Sequence, residues 1–178
     1  MQYRAPPWLP GGHAQTIWSA LYARRRWGLA LPKQRQRWTT PDEDFIDVDW
    51  QSASRLDRPL VVLFHGLEGS SDSHYAQAFA DWGLQNGCDI AVPHFRGCSG
   101  TLNLAPRAYH SGDHEEVHHL LVKFKQRVDA QKRPGLLAAG VSLGGNALMR
   151  WAGEQGQSAQ KIVSAVASIC SPLDLSAS

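Results

Sequence analysis

The sequence predicts an α/β protein: a mostly parallel sheet flanked by helices. Three observations carry this. Pro59–Phe64, Ile90–Val92, Leu136–Val141 and Ile162–Ile169 are continuous apolar runs, the pattern of strands buried on both faces. Helical periodicity separates them, so strands and helices alternate. A Gly-x-Ser-x-Gly motif joins the third run to the helix after it.

Taken in order, residues 1–34 form a basic, Trp-rich arm and residues 35–178 an α/β core. Arg35 to Thr39 and Phe45 to Trp50 read as two strands around the turn Pro41-Asp42-Glu43-Asp44. In the second, Phe45, Asp47 and Asp49 alternate with Ile46, Val48 and Trp50. The first apolar run ends in His65-Gly66. Tyr75, Phe79 and Trp82 then fall at i, i+4 and i+7, one helix face. Val117, Leu120, Leu121, Phe124 and Val128 make a second stripe. Asp113 and Glu116 read as its N-cap and capping partner. A third helix opens after Ser142, with Ala147, Leu148, Trp151 and Ala152 on one side.

Composition excludes several classes. The 178 residues carry 19 % charged side chains and a net charge of +2. That is not a disordered, collagen-like or coiled-coil composition, and no nucleic-acid partner is expected. Cys88, Cys98 and Cys170 are too scattered for a disulfide framework or a zinc ribbon. With no apolar run near the ~18 residues of a membrane span, the expectation is a soluble, cytoplasmic protein with reduced thiols.

Charge is unevenly placed. Residues 1–37 carry +7 with no acid, and the remainder −5. Trp8, Trp18, Trp27, Trp38 and Trp50 lie in the first 50 residues. The favoured reading is a strap, with buried tryptophans and solvated arginines. The alternative is peripheral contact with a membrane surface.

Gly140-Val141-Ser142-Leu143-Gly144 follows a buried strand and opens a helix, the context of a nucleophile elbow. The tight turn throws the Ser142 hydroxyl clear of the sheet. The Leu143 N–H then points to where an oxyanion would form. His65-Gly66-Leu67-Glu68-Gly69 closes the first apolar run, and Leu67 is the candidate for the second oxyanion N–H. His65 itself reads as a residue that orders this loop. A rival motif, His114-Glu115-Glu116-Val117-His118, fits H-E-x-x-H. Its histidines sit on the shoulder of the apolar stripe, however, and no third ligand is evident. Neither metal nor nucleotide is expected.

These motifs together resemble the YheT-like α/β-hydrolases, a branch of esterases and lipases. The likeness lies in Pro6-Pro7-Trp8, Gly12 to Ile17, Asp44 to Trp50, His65 to Ser71, Phe95 to Gly100, Pro106 to Asp113 and Gly140 to Gly145. It implies hydrolysis of carboxylic esters with short- or medium-chain acyl groups, or of acylglycerols, without any cofactor. The substrate partner would be a small-molecule or lipid ester.

One departure stands out. The fold orders its triad Ser, then acid, then His. All eight histidines lie between positions 13 and 119, and only 36 residues follow Ser142. The sheet is expected to stop at its sixth strand, with the chain inactive alone for want of the triad histidine. Asp174 is the one candidate acid, although a loop or helix-cap role suits its place better. The alternative function is a non-catalytic remnant or interaction module on the same fold.

Overall fold

The computed structural model describes residues 4–22, 33–172 and 174. Among these, a helix α1 (Gly12–Tyr22) precedes a six-stranded sheet. The strands are β1 (Gln34–Thr39), β2 (Phe45–Gln51), β3 (Leu60–Phe64), β4 (Asp89–Pro93), β5 (Leu136–Val141) and β6 (Ala165–Ile169). Helices α2 (His74–Asn86), α3 (His114–Ala130) and α4 (Leu143–Gln155) follow β3, β4 and β5. The spatial order is β1-β2-β4-β3-β5-β6. Pairings β1–β2 and β2–β4 are antiparallel, and those from β4 to β6 are parallel.

The parallel strands are apolar because both faces are covered. Leu60, Val62 and Phe64 of β3 pack with Val117, Leu120, Leu121 and Phe124 of α3 and with Leu148 and Trp151 of α4. Val61 and Leu63 face the other way, with Ala76 and Phe79 of α2. Helix α2 ends where Gly87 turns left-handed (φ 73°), its N–H reaching the Gly83 and Leu84 carbonyls.

The sheet's first pair is stitched by charge. Every residue of β2 is buried, its aspartates included. Opposite them in register stand Arg35 and Arg37. Arg35 holds Asp49 through two bonds of 2.7 and 2.8 Å, and Arg37 holds Asp47 through bonds of 2.8 and 2.9 Å. Lys33 pairs with Asp72. Lys33, Arg35 and Arg37, three of the seven cations in residues 1–37, are thus engaged by carboxylates rather than solvated alone.

Four expectations change. Asp113 does stand at the N-cap of α3, but the capping pair does not form: its side chain makes no cap bond and instead accepts from Arg107, while Glu116 is buried against Arg96. The strap reading fails for Trp8 and Trp18, which are 66 % and 44 % exposed and touch edge to face. Trp50 is buried and Trp38 half-buried, both packed on Phe124. Arg24, Arg25, Arg26 and Trp27 lie outside the described residues. The sixth strand starts at Ala165 because the Ile162 and Val163 N–H groups still close the preceding 3₁₀ turn onto the Ala159 carbonyl. Finally, the α2 stripe is only partly covered. Phe79 and Trp82 line an apolar groove of about 490 Å³ with Leu137, Ala139 and Val166. Strand β6 is exposed along its length at the sheet edge. No described helix is long and apolar enough to cross a membrane.

Candidate active site

Ser142 is the single residue between β5 and α4. Its backbone sits at φ 52°, ψ −117°, a conformation that costs a non-glycine residue about 1–3 kcal/mol. The surroundings hold it there. Ser142 N–H donates to the Ile169 carbonyl of β6 at 2.9 Å, and Asn146 N–H donates to the Ser142 carbonyl at 3.0 Å. A Cβ on Gly144 would overlap the Phe64 and His65 carbonyls, and one on Gly140 would lie 2.6 Å from the Gly144 oxygen. Only glycine at these places lets the elbow close against β3. Leu143 begins the helix, so its N–H is one of the free donors at the positive end of α4.

The loop after β3 lies against this elbow. A Cβ on Gly66 would come 3.3 Å from Ser142 Cβ. Gly69 N–H closes a turn onto the Gly66 carbonyl at 3.0 Å, with Glu68 at φ 51°. That positive angle is what a type II turn demands of its third residue. Gly66 N–H donates to Tyr75 Oη at 2.9 Å and Glu68 N–H to Tyr109 Oη at 3.0 Å. Among the described residues no acceptor meets the Leu67 N–H between them. The Leu67 side chain is exposed.

His65 is fully buried beneath this loop. Its Nδ1 lies 2.7 Å from the Gly66 carbonyl, and its Nε2 accepts the Phe95 N–H at 3.0 Å. Nε2 must therefore be bare and Nδ1 protonated. Burial, only partly offset by the Gly66 bond, lowers its pKa to about 4. The ring ties two loops together and has no nitrogen left to receive a proton from Ser142.

Asp174 is exposed, two residues past Pro172. The Pro172 carbonyl accepts the Asn146 amide at 2.8 Å, which draws this segment to the first turn of α4. Ser111 Oγ donates to Asn146 Oδ1 at 2.9 Å. The H-E-x-x-H residues are placed for packing. His118 Nδ1 accepts the Trp151 indole N–H at 3.2 Å, and Glu115 is exposed. Among the described residues no three His, Cys, Asp or Glu side chains converge as a metal site would require.

Sequence reasoning missed Arg96. It is buried and reaches Asp42 and Asp44 near the β1–β2 turn and Glu116 of α3, at 2.8, 2.9 and 2.6 Å. Burial opposes ionisation of Asp44. The Leu104, Phe45 and Ala105 N–H groups and the Asn103 amide outweigh it and hold its pKa at about 2. Burial pushes the Glu116 carboxyl up, against the pull of Arg96. The cluster pins the loop after β4, and with it Phe95, to the rest of the sheet.

Residues 59–178 match the family profile described as alpha/beta hydrolase fold. The chain belongs to the α/β-hydrolase family. This α/β-hydrolase chain is 38 % identical over 138 residues to the Escherichia coli protein YheT, covering 76 % of the chain and 39 % of YheT. It is 34 % identical over 134 residues to medium-chain fatty acid ethyl ester synthase/esterase 2 of Saccharomyces cerevisiae, covering 72 % of the chain and 28 % of that protein. Its fold resembles that of the Pyrococcus furiosus esterase Pf2001, with a TM-score of 0.62 at 19 % identity, over 83 % of this chain and 54 % of that one. The chain thus spans less than two fifths of these two curated relatives and about half of this structural neighbour.

Proposed function

We propose that this chain is the nucleophile-bearing part of a carboxylic ester hydrolase. The observation that carries the reading is Ser142, held at a strained φ between β5 and α4 with Gly66 packed on its Cβ. Ser142 Oγ attacks the ester carbonyl carbon, forming a C–O bond as its proton passes to a base. The Leu67 and Leu143 N–H groups receive the negative charge on the carbonyl oxygen. Collapse breaks the bond to the alcohol, which leaves with the proton from the base. Water then attacks the acyl-Ser142 ester, releasing the carboxylic acid and restoring the hydroxyl.

The base is a histidine brought to Ser142 in the intact protein. His65 cannot serve, because both its nitrogens are engaged. Asp174 stands as the chain's candidate acid, since Asn146 draws its segment towards the helix that Ser142 opens. The names of the relatives favour acyl esters, medium-chain ones among them, as substrates.

The test is turnover of p-nitrophenyl butyrate and octanoate by the intact protein that carries this chain. Ser142→Ala is expected to abolish turnover, and the 178-residue chain alone should scarcely exceed that variant. Full turnover by intact Ser142→Ala protein would overturn the proposal. Ser142-dependent turnover by the isolated chain would place the base among its own histidines.

A further inference from the structure

We infer, on the reading of Ser142 and Leu67 given above, that Tyr75 and Tyr109 are positioning residues that aim the Leu67 N–H at the reaction centre. Consecutive peptide groups of the loop are divided between three fates. Gly66 N–H goes to the Tyr75 hydroxyl and Glu68 N–H to the Tyr109 hydroxyl. The Leu67 N–H between them is left with no acceptor among the described residues. The two phenols come from different elements, one on the first turn of α2 and one in the loop before α3. They therefore grip the turn from two directions and fix the peptide plane of the residue they flank.

Glu68 shows why a grip is needed. At φ 51° it holds a left-handed conformation that suits glycine and strains a longer side chain. Tyr109 accepts its N–H and returns its own O–H to Glu68 Oε1 at 2.9 Å, so one phenol holds one strained residue twice. Burial pushes the Tyr109 phenol well above its usual range, so it remains a donor. Its ring stacks on Phe95, with centroids 5.4 Å apart and planes 11° from parallel. The Phe95 N–H is in turn held by His65 Nε2. On the other side, a Cβ on Gly69 would lie 2.5 Å from Tyr75 Oη, so the second glycine of His65-Gly66-Leu67-Glu68-Gly69 is the berth for Tyr75. An oxyanion donor works by being fixed before charge develops, and losing one costs about 10²–10³-fold in rate. Loosening one costs part of that.

The experiment uses the intact protein and the variants Tyr75→Phe and Tyr109→Phe, which keep both rings and the stack on Phe95. Each is measured for kcat and KM on p-nitrophenyl butyrate and for inhibition by an alkyl trifluoromethyl ketone. That ketone adds to a serine nucleophile and leaves its oxyanion where the tetrahedral intermediate's would be. The expected result is a fall in kcat of about 10- to 100-fold, an equal rise in the ketone's inhibition constant and little change in KM. Unchanged kcat and ketone inhibition, in variants whose Ser142→Ala counterpart is dead, would overturn the role of the tyrosines and leave the hydrolase reading standing. A lower melting temperature with those two parameters unchanged would equally overturn it, because the phenols would then serve only to hold the loop folded. An active Ser142→Ala protein would instead overturn the reading beneath it.

Discussion

Gly66 and Ser142 sit back to back: a methyl group on residue 66 would come 3.3 Å from Ser142 Cβ and 3.4 Å from the Val141 carbonyl oxygen. Neighbours at that range must give by a few tenths of an ångström. Gly66→Ala should therefore shift the nucleophile relative to its oxyanion donors more than it strains the fold. We expect kcat in the intact protein to fall about tenfold or more, with a stability loss of about 1 kcal/mol. Steady-state kinetics beside urea denaturation checks this, and equal kcat would contradict it.

His65 makes stability depend on pH. An unfolded imidazole takes up its proton near pH 6.5, whereas the folded ring does so only near 4. Between these values the unfolded chain binds the extra proton. Stability therefore falls as pH drops through that window, by on the order of 3 kcal/mol from this group. His65→Gln has no such titration, while its amide can still serve both loops. Urea unfolding at several pH values should show a smaller acid loss in His65→Gln than in the native sequence. Identical slopes would contradict the buried neutral ring.

Arg96 should be the costliest surface-remote residue to lose. Arg96→Met strands Glu116 and Asp44, both buried, with no cation between them. Breaking a buried pair in this way costs about 3–5 kcal/mol. Glu116→Gln leaves Arg96 its two aspartates and should cost far less. Denaturation midpoints of the two variants check the order, and a reversed order would show that the cluster is held chiefly by Glu116.

The sheet, the three flanking helices and the elbow were legible because each has a period or a motif. Apolar runs mark β3 to β6, a 3.6-residue stripe marks α3, and the glycines of the elbow answer a steric demand local in sequence. What holds the site was not legible. Arg96 meets Asp42 and Asp44 from 54 and 52 residues away, and Tyr109 meets Glu68 from 41. Such polar pairings leave no periodic trace. Asp113 and Glu116 show the same limit in reverse: a local capping pattern yields to Arg107 and Arg96. One signal was available for the tyrosines. A half-buried phenol needs a partner for its hydroxyl, and Tyr75 follows the His65–Ser71 loop within one helical turn.

Strand β6 predicts the behaviour of the isolated 178-residue chain. Val166 and Ile169 are each 37 % exposed, and among the described residues the strand has β5 as its one neighbour in the sheet. Open apolar edges pair with other chains. Light scattering on the isolated chain should show concentration-dependent association, reduced by Val166→Lys. A monodisperse monomer at every concentration would contradict this picture of the edge.

The most direct test of the hydrolase reading is where a fluorophosphonate attaches to the intact protein. Such a probe forms a covalent bond with an activated serine and leaves ordinary hydroxyls alone. Peptide mass spectrometry should find one label, on Ser142, with loss of ester turnover in step with labelling and no label on Ser142→Ala. A label on another residue, or full labelling with turnover intact, would contradict Ser142 as the nucleophile.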